Sequence, residues 1–200
     1  ADRDRRGAPS LDAPESKLIL NEDGVCVDVQ PRTRGRSELL IEEFMLLANE
    51  SAARVAREKS IPFVYRVHEN PSPEKLERLE EVLNRMNIPP PVLDEVRPCH
   101  FAQILKNAKD SPLLPALNNL LLRSMAKAKY APTPIGHFGL ALADYTHFTS
   151  PIRRYPDLAI HRILSDVVLG YSKDWFDKRY AAFVQHASER SSAAELRAMT

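Results

Sequence analysis

Two hundred residues with 44% hydrophobic content can bury a core of ordinary size, and that length favours one domain or a large part of one. No apolar run approaches the ~20 residues of a membrane span, because the longest, Leu39 to Ala48, is interrupted by Glu42 and Glu43. A net charge of +1 excludes polyanion binding through bulk charge, so any basic surface must be local.

The elements follow in chain order. The amino terminus is charged and carries no apolar signal-peptide core, and Cys26 and Cys99 lack metal-ligand spacing, which together suit a reducing cytoplasm. Lys17 to Val29 alternates around Asn21-Glu22-Asp23-Gly24 and predicts a β-hairpin. A long helix is expected from Ser37 to Glu58, with Leu40, Phe44, Leu47, Ser51 and Val55 along one buried stripe. Phe63 to His68 reads as a short strand, and Pro73 starts an amphipathic helix carrying Leu76, Leu79, Leu83 and Met86. Pro89, Pro90 and Pro91 make a rigid connector. Two more helices are expected over His100 to Lys109 and Ser111 to Lys129. His137 to Leu142 reads as a strand, Asp157 to Leu169 as a helix ending at Gly170, and the remainder as helix with Trp175 and Phe176 as packing anchors. The sum is an α+β fold, a mixed sheet with packed helices, without internal repeats.

Three basic groups, Arg3 with Arg5 and Arg6, Arg32 with Arg34 and Arg36, and Lys106 with Lys109, Lys127 and Lys129, are solvated faces unless the fold sets them on one wall. The six histidines show no short paired spacing, so a metal site is not expected from them; His161, four residues after Asp157, suits a structural hydrogen bond to it.

The most telling stretch is YTHFTSPIRRYPDL, Tyr145 to Leu158. Ser150 suits an N-cap and Pro151 the first helical position, which sets Arg153 and Arg154 in the first turn. The helix dipole disfavours each cation there by roughly 0.3–1 kcal/mol unless an anion stands near. Phosphate would resolve that conflict through free N–H groups, hydroxyls and guanidinium forks. Asp157 offers the competing explanation, ordinary ion pairs along the helix surface. Pro156 disfavours helix at Tyr155, and a bend there would leave both arginines on a connector facing the pocket. Glu42 and Glu43 sit about 100° apart in the most apolar part of the long helix, so one of them faces a cleft.

The run HFGLALADYTHFTSPIRRYPDLAIHRIL, His137 to Leu164, resembles the signature of the ribonuclease II and ribonuclease R family of exoribonucleases. LLIEEFMLLANESAARVA, Leu39 to Ala56, resembles that family's central helix, and FVYRVHENPSPEKLERL, Phe63 to Leu79, the segment after it. The resemblance implies a cytoplasmic, magnesium-dependent enzyme that degrades single-stranded RNA processively from the 3′ end to nucleoside 5′-monophosphates. The family's metal is held by clustered aspartates in a motif ending in adjacent Asp residues followed by Ala, which this sequence lacks; Asp2 and Asp4 sit in a basic context instead. The expectation is therefore that residues 1–200 are the C-terminal part of a ribonuclease II-type catalytic domain, inactive alone, with the metal ligands upstream and without the terminal RNA-binding barrel.

By the same resemblance, Arg153 engages the phosphate at the cleavage point and Glu42 contacts the ribose near the RNA 3′ end. Arg154, Tyr145, His147, Thr149 and Ser150 are implied to position phosphate or sugar. After Gly7-Ala8, where many members carry a base-stacking aromatic residue, this chain has Leu11. The alternative is a catalytically inactive RNA-binding or scaffold protein of the same fold.

Overall fold

An asparagine folds the first element. In the computed structural model, which describes residues 5–10, 16–32, 35–90 and 96–198, Asn21 Oδ1 accepts the Asp23 and Val25 amides at 3.1 and 2.8 Å. That Asx turn joins strand β1, Ser16–Leu20, to strand β2, Cys26–Pro31, in an antiparallel pair with Leu18 opposite Val29. Helix α1, Arg36–Glu58, starts where Glu38 accepts the Gly35 amide at 2.8 Å.

The apolar stripe expected to be buried on α1 is not. Leu40, Phe44 and Leu47 are 57%, 59% and 56% exposed, whereas Asn49, Ala52, Ala53 and Ala56 are buried. Small side chains let the C-terminal half of the helix approach the interior closely, and no described element covers the larger apolar residues of its first half. At Ala53, which is wholly buried, extra methylenes would cost about 1–3 kcal/mol in overpacking.

Strand β3, Tyr65–Val67, pairs antiparallel with strand β4, Lys129–Ala131, the second of two small two-stranded antiparallel sheets, and an isolated parallel bridge joins His68 to His137 just beyond β3. Between β3 and β4 stand helices α2, Pro73–Arg85, α3, Pro98–Asn107, and α4, Leu114–Ser124. Their core comprises Leu79, Leu83, Phe101, Ile104, Leu117 and Leu121 together with Phe138. Helices α5, Tyr155–Val168, and α6, Lys173–Ala198, share a second core with Ala53, Ala56, Phe63, Val64, Ile160, Ile163, Phe176 and Val184. Each fully buried Val, Leu, Ile or Phe among them contributes roughly 1.5–3 kcal/mol.

Three expected boundaries move. The helix anticipated to reach Lys129 stops at Ser124, and Lys129 belongs to β4. His137 to Leu142 is not a strand: the His137 amide donates to Leu142 O at 2.8 Å and closes a tight loop around a single 3₁₀ turn, Phe138–Leu140, that Ala141 leaves at φ 51°. Helix α5 begins at Tyr155 rather than at Pro151, with Arg154 as N-cap and Pro156 in its first turn, because proline is tolerated there and disrupts a helix interior. Pro91, Leu11, Asp2, Asp4, Arg3 and Arg34 lie outside the described residues.

Candidate nucleic-acid interface

The segment from Tyr145 to Arg154 runs between β3, α1 and α5 and is tied down along its length. The Tyr145 carbonyl accepts the Arg66 amide at 2.9 Å, and the buried Thr146 hydroxyl donates to Val64 O at 2.7 Å. The Phe148 amide donates to Asn49 Oδ1 and the Phe148 carbonyl pairs with His161 Nε2, each at 2.9 Å, while the two rings stack at 4.2 Å. His161 therefore serves Phe148, not Asp157 as its spacing suggested.

Asp157 has another duty. Its side chain is fully buried; Oδ1 accepts the Ser150 amide at 2.8 Å and Arg154 Nη2 at 2.7 Å, and Oδ2 accepts Arg154 Nε at 2.9 Å. Residues Pro151 to Arg153 form the turn in between, with the Arg153 and Arg154 amides returning to Ser150 O. Arg154 is thus held by a bidentate ion pair. Arg153 is exposed and its side chain makes no hydrogen bond or ion pair among the described residues.

Behind this turn His68, His137, Tyr145, His147 and Tyr130 follow one another in edge-to-face contacts, with centroids 5.0, 5.1, 5.9 and 5.7 Å apart. Burial, reinforced by the positive charges of Arg154 and Arg66, brings His147 down to about 4. Burial also holds the Tyr130 phenol up at about 12, and its hydroxyl shares a hydrogen bond with Nδ1 of a neutral His147 at 2.9 Å. Burial first, then the neighbouring His68, lowers His137 to about 3. His68 is bonded on both ring nitrogens, accepting the Gly139 amide at Nδ1 and facing Ala126 O at 2.7 Å with Nε2.

The fold brings Tyr145, His147, Ser150 and Arg154 into one cluster, with the half-buried Thr149 and the exposed Arg153 on the same segment. The Tyr145 ring is buried and its hydroxyl oxygen accepts Asn49 Nδ2 at 3.1 Å. Glu42 is half-buried on α1, seven residues before Asn49 and hence on nearly the same face of the helix. Sequence reasoning missed Asn49, whose only signal is an amide inside an apolar helical run. It also passed over Arg66, which lies 4.6 Å over the Tyr130 ring and pairs with Glu195 at 2.5 Å, a contact across 129 residues that no local spacing encodes. Of the basic groups, Arg6, Arg32 and Lys129 are engaged by Glu50, Glu38 and Glu69.

Chemically, the arrangement presents one unengaged guanidinium, two hydroxyls and an imidazole on a tethered backbone, a set suited to an anion. Ribonuclease R of Thermotoga maritima is 43% identical over 200 residues, covering 96% of this chain and 28% of that protein. Ribonuclease R of Escherichia coli K12 is 41% identical over 162 residues, covering 81% of this chain and 20% of that protein. Among solved structures, Mycoplasma genitalium ribonuclease R in complex with ribose methylated single-stranded RNA matches with a TM-score of 0.87 at 32% identity, over 98% of this chain and 31% of that one. Yeast Ssd1, a pseudonuclease, matches at 0.60 with 22% identity over 80% of this chain and 21% of that one, and shares the fold alone. This chain spans under a third of the length of each of these ribonucleases. The RNB domain family matches residues 1–170, which contain the whole tethered segment and its anchors on α1 and α5, and this chain belongs to that family.

Proposed function

We propose that this chain is part of a magnesium-dependent, processive 3′-to-5′ exoribonuclease that hydrolyses single-stranded RNA to nucleoside 5′-monophosphates, and that it supplies the wall gripping phosphate and ribose. The observation that carries the reading is the contrast between two adjacent arginines: Asp157 engages Arg154, while Arg153 stands exposed without an ion pair among the described residues. An unengaged guanidinium on a fixed turn is preorganised for a phosphate. The kinship with ribonuclease R and the RNA held by Mycoplasma genitalium ribonuclease R support RNA as the partner.

In this mechanism the Arg153 fork clamps the phosphate at the scissile link and stabilises charge developing on its oxygens. Glu42 accepts a hydrogen bond from the terminal 2′-OH, which DNA lacks. Thr149, Ser150 and His147 position phosphate or sugar. Arg154 adds positive charge from its place against Asp157, and Tyr145 fixes the segment from within. Among the described residues no group of three or more His, Cys, Asp or Glu side chains is placed to hold a metal, so these residues do not fit a magnesium site. On this proposal residues 1–200 are the C-terminal part of the catalytic domain of a longer cytoplasmic polypeptide, the metal ligands lie elsewhere in it, and the isolated chain is inactive.

The test supplies the full-length protein with magnesium and a 3′-labelled single-stranded RNA. Release of labelled mononucleotide is expected; an untouched substrate would overturn the reading, and full activity in Arg153→Ala would overturn the role of that residue.

A further inference from the structure

We infer that Asn49 is a positioning residue that sets the spacing between the ribose-reading and phosphate-gripping groups, an inference that rests on the exoribonuclease reading. Asn49 is 4% exposed and uses both ends of its amide on the segment that carries Arg153: Oδ1 accepts the Phe148 amide at 2.9 Å and Nδ2 donates to the Tyr145 hydroxyl at 3.1 Å. Its partners stand 99 and 96 residues away, so these bonds are made only when α1 and the segment are correctly docked. The orientation of the amide is not free, because a backbone N–H can pair only with the oxygen end.

Geometry links this residue to both halves of the proposed site. Seven residues separate Glu42 from Asn49, two turns along one face, or about 10 Å at 1.5 Å per residue. A rigid helix therefore carries the carboxylate at one station and the amide at the next. From Phe148 the chain continues to Ser150, which Asp157 holds, and then through the turn to Arg153. Asn49 touches no reacting atom. It fixes where the turn begins relative to the helix that bears Glu42, and misplacement of a clamp by about 1 Å is enough to cost about 100-fold in rate.

Two measurements test the inference separately from the parent reading. On the 200-residue chain, amide exchange at Phe148 and Ser150 is compared between wild type and Asn49→Ala; faster exchange at both, with protection of the α4 core retained, is expected, and unchanged exchange overturns the inference whatever the protein hydrolyses. In the full-length protein, Asn49→Ala is expected to lower kcat about 100-fold with KM little changed and to narrow the preference for a ribose over a deoxyribose terminus. Ser124→Ala, which loses a buried bond to Leu121 O in the other core, controls for lost stability and is expected to keep wild-type kcat. Wild-type kcat in folded Asn49→Ala overturns the inference; no turnover by wild type overturns the parent reading instead.

Discussion

Asp157 binds Arg154 through both carboxylate oxygens while one of those oxygens also takes the Ser150 amide, so a single fully buried side chain holds the neighbouring arginine and the start of the turn. Removing it leaves a half-buried guanidinium and a backbone donor without partners. Asp157→Ala is expected to lower unfolding free energy by about 3 kcal/mol, the scale for breaking a buried pair from one side. Urea unfolding of the 200-residue chain checks this, and Asp157→Asn, which keeps the acceptor for Ser150, should recover part of the loss.

The two arginines should part company under mutation. Arg153→Ala is expected to leave stability within about 0.5 kcal/mol of wild type, as for a surface position without partners. In the full-length protein it is expected to lower kcat by about 100- to 1000-fold, the range for losing one preorganised donor. Arg154→Ala should instead destabilise the fold, because it strands the buried carboxylate. Thermal unfolding and turnover measured on the same pair of variants separate the two roles.

Acid should weaken this fold through two buried histidines. His137 and His147, lowered to about 3 and about 4, are neutral when folded, whereas in the unfolded chain each takes up a proton below about 6.5. The unfolded state then binds more protons, so stability falls as pH drops from about 6.5 towards 4, by up to about 1.4 kcal/mol per pH unit for each histidine. Urea midpoints between pH 7 and 5 measure the slope. His147→Gln is expected to flatten it, and an unchanged slope would show that His147 is charged in the native state.

Two glycines with left-handed backbone predict different penalties. Gly24, at φ 76°, has nothing within 4 Å of an added Cβ, so Gly24→Ala carries only the conformational cost of about 1–2 kcal/mol, confined to the hairpin turn. At Gly7, φ 73°, the added atom would stand 2.5 Å from Cys99 Cβ, and the segment beside α3 must move. Gly7→Ala is expected to lower Tm more than Gly24→Ala in parallel melts.

Local chemistry made much of this fold legible. The hairpin is written in its alternation and its Asn21 turn, and the start of α2 in Pro73. Legibility ended where a partner from far along the chain decides the outcome. Periodicity marked Leu40, Phe44 and Leu47 as a stripe, but burial depends on an opposing surface that periodicity does not report. The Ser150-Pro151 pair looked like a helix start; Asp157 instead draws the Ser150 amide into a turn, and the helix waits until Tyr155. Asn49 was invisible for the same reason, since both of its partners lie across the fold.

The uncovered row on α1 has a practical consequence. Leu39, Leu40, Ile41, Phe44, Met45 and Leu47 are all more than 40% exposed, a greasy ridge that will govern the colloidal behaviour of the 200-residue chain in concentrated solution. Excluded salts such as sulfate will drive it out of solution early. Lysines at Leu40 and Phe44 would raise its working concentration without weakening the interior, because neither side chain belongs to it.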